Sequence, residues 1–549
     1  MKLLIITAAL VLATAAVPPD LLARDDSRSL RPAASVDARL IMELIGQGLP
    51  DSALAILDAE EAKNPNDPLV MLLKVRSLRE TISDEDDDQS LIAADMKAMH
   101  GLLDRVITVC NDSLKRSAPD PIYSFYRGRA HLGKAQLHTL TRSYWSAGRA
   151  AKKAKSDLER FLKAYPDDPD AQGDLGAFLY FADTLPAAIK FLGRLFFIPG
   201  GDREKGLSML NYAASSDGVF KRDYEITLAA IYIIFEGRLE EGTAAWLSLI
   251  ERYPYYFRLV EPLGIVSPLC PTGIQEFKEI EDDAIARHFS RGIDKVNWRH
   301  VKSIQYHRTF TNMYFRSPDR ALNEFTSMIE NAPSRPDWVL PLLLINRAIL
   351  FSKIGKNDKA REAYELVKSR KDMEHFHDLS KNLIDNLDHP VQAIDLRALD
   401  FVGFIYEGRL EKARLGLNRL AERYGNDAIY HFYHGELELM SRQFVRAATA
   451  YRASLDVPTT GGDQSYQMFA ALRLAEIHGH EGRYGVAKDY IDEAFKYNHA
   501  EYLLDIMIHA RKHYYELLES GKLQGPPTML LENHTREAGM IQPVNSEAR

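Results

Sequence analysis

Cysteine is nearly absent from this chain: 549 residues carry two, Cys110 and Cys270. Two thiols cannot build a disulfide framework or a cysteine-rich zinc site, and their separation of 160 residues leaves a single bridge undecided. A basic excess is missing as well. Lys and Arg number 69 against 77 Asp and Glu, a net charge of -8, and neutralising nucleic-acid phosphates takes a surplus of cations. No nucleic-acid partner is therefore expected. Alternating Val, Ile and Thr runs with Asn-Gly turns are lacking, which removes a β-domain. Past residue 17 no apolar stretch approaches the roughly 20 residues of a bilayer span, since even FLGRLFFIPGG is broken by Arg194 and Pro199. Phosphate loops, HExxH and GxSxG are all absent, and with them the common signatures of nucleotide, zinc-protease and serine-hydrolase chemistry.

What remains is the composition of an ordinary globular protein, 46% hydrophobic and 27% charged, which excludes global disorder and collagen. The first segment stands apart. Lys2 precedes fifteen apolar residues, Leu3 to Val17, then Pro18 and Pro19; Ala13-Thr14-Ala15 offers the small-x-small pattern of a signal peptidase. Residues 1–17 read as a signal peptide, with an uncleaved anchor as the alternative, and 18–35 as a flexible linker. No Cys lies near the cleavage region, so a lipoprotein anchor is excluded. The mature chain is expected to be exported, periplasmic or secreted, without a transmembrane span.

From Val36 to Tyr497 the apolar period is helical, and a longer repeat is laid over it. EGRLEEG from Glu236, EGRLEKA from Glu407 and EGRYGVA from Glu481 each fall between two amphipathic segments, with a glycine where a helix must end in a left-handed turn. Five residues after each turn glycine stands a small residue: Gly48 leads to Ala53, Gly237 to Gly242, Gly355 to Ala360, Gly408 to Ala413, Gly482 to Ala487. Four residues later comes a large apolar one, Leu57, Trp246, Tyr364, Leu417 or Ile491. A second small residue precedes the turn, at Ala230, Ala348, Gly435 and Ala475, and prolines close several units, at Pro65, Pro166, Pro254 and Pro333. Small side chains let two helices cross closely, a large one fills the next turn, and the proline stops the second helix. Arg442 follows Gly408 by 34 residues and occupies the same turn position.

This pattern resembles the tetratricopeptide repeat family. It implies an all-α, right-handed superhelical solenoid of helix-turn-helix pairs over 36–497, with irregular insertions such as a helix at Phe376 to Leu387 and a loop at Val457 to Gln464. A capping helix is expected over 498–519, and 520–549 reads as a disordered tail. A second resemblance begins at Ile198: IPGGDREKGLSMLNYAA, then IYIIFEGRLEEGTAAWLSLIERYPYYF, looks like the central region of the tetratricopeptide repeat protein 39 and inclusion-body clearance group. Its positions here are Gly201, Asp202, Arg203, Gly206, Leu207 and Ala213, and it implies architecture and no enzymatic activity. Asp202 is also a good helix N-cap by its own chemistry.

No catalytic, cofactor or metal residue emerges. His431 and His434 with Glu436 share a helix and could hold a metal, but they read as partly exposed residues of a repeat. The acidic run Asp84 to Asp88 lacks the glycine and distal glutamate of a calcium loop and reads as a solvated loop. Glu279, Glu281, Asp282 and Asp283 read as a solvated helix face. Aromatics and arginine are frequent anchors for bound segments, so Tyr123, Tyr126, Arg127, Tyr306 and Phe310 are the candidate partner-binding residues. Arg127 would face an anionic or C-terminal carboxylate on a partner. The leading functional expectation is an exported, non-enzymatic scaffold binding protein or peptide segments in a groove. An all-helical enzyme acting on glycans or peptides, and a membrane-associated clearance or lipid-linked factor, are the alternatives.

Overall fold

The computed structural model describes residues 36–81, 89–141, 143–184, 200–256, 259–290, 298–331, 339–387, 394–458, 464–497 and 502–523. The leader, the linker, the acidic run at 84–88, Pro333 and the tail beyond 523 lie outside them. Among the described residues there are helices and turns and no strand. The chain divides into two compact units, one of Met1–Pro262, Asp282–Gln305 and Pro333–Arg335, the other of Leu263–Glu281, Tyr306–Ala332 and Pro336–Arg549.

The first unit contains five helix pairs: α1 (Ala38–Gly46) with α2 (Pro50–Lys63), α3 (Pro68–Thr81) with α4 (Gln89–Leu114), α5 (Ile122–Leu140) with α6 (Tyr144–Ala164), α7 (Pro169–Thr184) with α8 (Arg203–Ser215), and α9 (Lys221–Ile234) with α10 (Leu239–Arg252). Between the units' main spans run α11 (Glu261–Val266), α12 (Ile274–Ser290) and α13 (Trp298–Phe315). The second unit continues with α14 (Pro318–Glu330), α15 (Val339–Lys353), α16 (Asn357–Ser369), α17 (His377–Asn386), α18 (Val402–Tyr406), α19 (Leu410–Tyr424), α20 (Ala428–Met440), α21 (Phe444–Asp456), α22 (Ser465–His480), α23 (Tyr484–Ala494) and α24 (Tyr502–Glu519). The inserted helix and the closing helix are therefore α17 and α24.

The turns show why each pair forms. Gly48, Gly237, Gly355, Gly408 and Gly482 have φ between 63° and 75°, and Arg442 has φ 58°. The residue after the turn then donates its backbone N–H to the carbonyl five earlier: Leu49 to Leu44, Lys356 to Phe351, Arg409 to Phe404, Gln443 to Glu438, Arg483 to His478, at 2.8–2.9 Å. This closure satisfies carbonyls that the end of the first helix would leave without donors. Ala53, Ala154, Ala321, Ala360, Ala413, Ala447 and Ala487 are all fully buried at the crossings, and so are Leu57, Tyr451 and Ile491 a turn later. Each such large side chain contributes about 2 kcal/mol by leaving water. At Gly435 even a methyl group is too much, since a Cβ there would stand 2.4 Å from the Tyr451 ring.

The first unit folds back on itself. Arg39 Nη2 pairs with Asp217 Oδ2 at 2.7 Å, Arg222 Nη1 donates to the Met42 carbonyl at 2.6 Å, and Tyr256 Oη donates to Glu80 at 3.0 Å. Helices α1 and α3 thus meet α9 and the segments just before it and just after α10. Inner-face residues of the intervening helices are enclosed by the unit's own chain.

Candidate functional site

The first helices of successive pairs carry the densest charge. Arg76 and Glu80 come from α3, Arg129 from α5, Asp170 and Asp174 from α7, Arg222, Asp223 and Tyr224 from α9. Each is buried or nearly so. Arg76 pairs with Glu80. Its Nε lies 3.6 Å from Asp223, and Arg129 lies 3.5 Å from Asp174 and 3.8 Å from Asp223. The Arg129 guanidinium also stacks over Phe220, 3.1 Å from the ring centre. Tyr224 Oη donates to the Asp170 carbonyl at 2.7 Å and to Asp174 Oδ1 at 3.0 Å, while Asp170 caps α9 by accepting from the N–H groups of Val219 and Phe220.

Burial pushes the Asp174 carboxyl up to about 6 against the pull of Arg129. The Arg222 guanidinium is brought down to about 10 by burial and then by the like charge of Arg76. Also on α5, near Arg127 and Asp157, His131 is pushed down to about 4 by burial, so it is neutral in the fold. Arg76 and Glu80 are an i, i+4 pair on one helix, whereas Arg129, Asp174 and Asp223 meet from three different helix pairs and do not announce themselves by sequence spacing.

The named aromatic and arginine candidates take other positions. Tyr126 is buried and Tyr123 half-buried against the core of the first unit, and Tyr306 and Phe310 are buried in the second. Tyr306 accepts a hydrogen bond from Asn346 Nδ2 at 3.1 Å inside the second unit. These side chains pack within their own units, and Tyr123 alone of the four aromatics keeps a partly open surface. Arg127 does face a bidentate carboxylate, but that carboxylate is Asp157 on α6: Nε to Oδ2 is 2.8 Å and Nη2 to Oδ1 is 2.5 Å. Its Nη1 donates to Asn111 Oδ1 at 2.7 Å, which ties α4, α5 and α6 together. That hydrogen bonding and the charge of Asp157 hold the guanidinium above its usual range.

In the second unit Glu436 is wholly buried and fully used. It accepts from Tyr406 and Tyr451 at 2.6 Å and from Arg473 Nε at 2.9 Å, while Arg473 Nη2 donates to the Pro268 carbonyl at 3.0 Å. Glu436 thus turns away from His431 and His434, and among the described residues no group of three His, Cys, Asp or Glu could hold a metal ion. Glu281 is buried whereas Asp283 is exposed and pairs with Arg287 at 2.7 Å, so that acidic run does not converge on one point. Cys110 and Cys270 are both buried, and burial pushes the Cys110 thiol up to about 12.

The Gly-Asp-Arg turn has a mechanical reading. Asp202 Oδ1 caps α8 by accepting from the Lys205 N–H at 3.0 Å. Its own N–H donates to the Leu179 carbonyl at 3.0 Å. Arg203 Nε and Tyr180 both donate to Glu236, the first residue of the EGRLEEG turn, the former at 2.8 Å. One phrase is thereby fastened to the other.

Left-handed turns, small crossings and large knobs recur in one order through both units. The helix pairs have the arrangement that the resemblance to tetratricopeptide repeats implies. No family model matches the chain, and no curated protein matches it. Among solved structures it is similar to the TPR domain of P58(IPK), at 12% identity over 82% of this chain and 99% of that one, with a TM-score of 0.19. It is also similar to the APC/C hetero-tetramer Cut9-Hcn1, at 14% identity over 96% and 98%, TM-score 0.24. Yeast Tom70 is similar at 12% identity over 88% of each chain, TM-score 0.19. Likeness at this level carries no argument about function. No described helix is long and apolar enough to cross a membrane.

Proposed function

We propose that this protein is an exported, non-enzymatic scaffold that binds other proteins on the outer helices of its second unit. The observation that carries this reading is a set of solvent-facing aliphatic side chains on second helices of its pairs: Leu366 on α16, Leu415 on α19, Val445 on α21 and Val486 on α23. Leu415 is 66% exposed and Val445 80%. Relative to the buried small residue of each helix, the four fall within an arc of about 100° on the opposite side, taking 100° per residue. Aliphatics repeated on that side serve no crossing within a pair, and apolar groups held in water favour a protein partner. The inner face of the first unit, by contrast, is occupied by its own charged side chains.

Capture of proteins from envelope fractions by the full mature chain tests the reading. Leu415→Glu with Val445→Glu should abolish capture at unchanged melting temperature. Undiminished capture by that folded variant would sink it. Export is tested separately: Leu10→Arg with Leu12→Arg should hold the protein in the cytoplasm with residues 2–15 intact. Normal fractionation of that variant, or an exported wild type with an intact N-terminus, removes the exported part of the proposal. The charge cluster consists of buried arginines, carboxylates and a tyrosine that bind one another, and no observation favours the enzyme reading.

A further inference from the structure

Arginine presents a planar edge, Nε with Nη2, that matches the two oxygens of an oxyanion. This chain uses that edge repeatedly. Arg127 turns it to Asp157, Arg511 to Glu476, Arg238 to Glu241 and Arg397 to Asp395. Arg222 departs from the pattern. It is 1% exposed, yet its Nε and Nη2 have no hydrogen-bond partner, and no carboxylate pairs with it among the described residues. Its one hydrogen bond goes to a neutral group, the Met42 carbonyl.

Arg76 lies beside it, 7% exposed, with Nε and Nη2 also lacking hydrogen bonds. The acids nearby do not reach the Arg222 edge: Asp223 keeps its Oδ1 without a hydrogen bond, and among the described residues no carboxylate oxygen pairs with Arg222. Glu80 pairs with Arg76 and accepts from Tyr256, and Asp223 is shared at 3.6 and 3.8 Å between Arg76 and Arg129. The two guanidiniums therefore keep four donor atoms without a hydrogen bond in the interior of the unit, of which Arg76 Nε has only the longer ion-pair contact to Asp223. A buried charge left in that condition costs several kcal/mol, and an anion held in the free edge removes the cost.

We propose that the first unit binds a small oxyanion, of the phosphate, sulfate or carboxylate class, between the Nε–Nη2 edges of Arg222 and Arg76. Arg222 and Arg76 are 1% and 7% exposed, and burial of that degree favours a small anion over a polypeptide terminus. Bound there, it joins α3 to α9 and stabilises closure of the unit.

Equilibrium dialysis of the full mature chain against labelled inorganic phosphate is the direct test, with sulfate and acetate as competitors at matched ionic strength. Saturable binding near one equivalent is expected, lost at least tenfold in Arg222→Met. A melting temperature that rises with phosphate, on the order of 5 °C at a hundredfold excess over the dissociation constant, should accompany it and vanish in the same variant. Competition by acetate as strong as by sulfate assigns a carboxylate-accepting site, and competition by sulfate alone a tetrahedral one. Should Arg222→Met not fold, Arg222→Lys keeps the charge without the planar edge and should show the same loss. Absence of saturable binding of all three anions to the wild type overturns the proposal, as does equal binding by a folded Arg222 variant.

Discussion

A guanidinium on a first helix is stable in the interior when a carboxylate meets both of its nitrogens, and Arg127 has that arrangement with Asp157. Removing one member strands the other, which typically costs more than the pair is worth. Arg127→Ala should therefore lower the unfolding free energy by about 3 kcal/mol, and Arg127→Glu by more, read from urea midpoints. Added to Asp157→Ala, Arg127→Ala should cost much less than alone; strict additivity would show that the two do not interact. The sequence placed Arg127 on an inner helix and its chemistry asked for a carboxylate. That the carboxylate is Asp157 follows from the lateral packing of α5 on α6, which periodicity along one helix does not encode. Asp174, among Arg129, Tyr224, Asp170 and Asp223, makes a second prediction. Its folded value, raised to about 6, means that the fold holds this proton more tightly than the unfolded chain does. Its contribution is complete below about pH 4 and is lost as pH rises through 6. His131, pushed down to about 4, has the opposite sign over the same range and masks it in the wild type. Relative to Asp174→Asn, the wild type should gain on the order of 2–3 kcal/mol between pH 7 and pH 4. A difference that does not change with pH would show that Asp174 is ionised throughout.

At the scale of the helix pair, local chemistry decides almost everything, which is why this level was legible from the residues. The turn requires positive φ, which glycine adopts freely, and the crossing requires a small side chain; both demands fall on fixed positions. All five turn glycines have that φ, and Arg442, picked out by register alone, has it too. Arg442 carries a Cβ in a region where one is disfavoured, at a cost of about 1 kcal/mol or more. Arg442→Gly should therefore stabilise the protein by about 0.5–1 kcal/mol, partly offset by the freer unfolded chain, whereas Gly408→Ala should destabilise it by a similar amount. A loss of stability in Arg442→Gly would mean that its side chain holds the turn. Ala413 and Ala487 are fully buried, and leucine at either should cost roughly 1–3 kcal/mol through overpacking, measured by thermal or urea unfolding. The short α18 marks where the pattern weakens: its pair keeps Gly408 and Ala413, but a 3-10 turn at Leu396–Leu399 replaces the start of the first helix. The spacing irregularity around Gly355 to Gly408 has the same origin, an inserted α17.

Larger scales depend on contacts that no repeat records. An ideal stack places each pair against its neighbours only, and from that rule an open inner face is expected. The first unit departs from it because residues about 180 apart meet: Arg39 with Asp217, Met42 with Arg222, Glu80 with Tyr256. Curvature accumulates from small rotations at every crossing, so its closing point is a property of five pairs together and is invisible in any one of them. The closure nevertheless has one local determinant that can be changed. Gly48 has φ 67°, and a Cβ there would lie 2.8 Å from the Tyr255 carbonyl oxygen, close enough that the backbone must shift. Gly48→Val would impose left-handed strain on a β-branched residue and push α1 and α2 off the 253–256 segment. If closure is held at this seam, amide exchange should accelerate about tenfold or more across 38–63, for each 1.4 kcal/mol of local destabilisation, while α5 and α6 keep their protection. Equal acceleration in α5 and α6 would show that the unit opens only by unfolding as a whole. Unchanged exchange in α1 and α2 would place the seam's stability in the apolar residues Ile41, Met42 and Ile45, which are buried on the same helix.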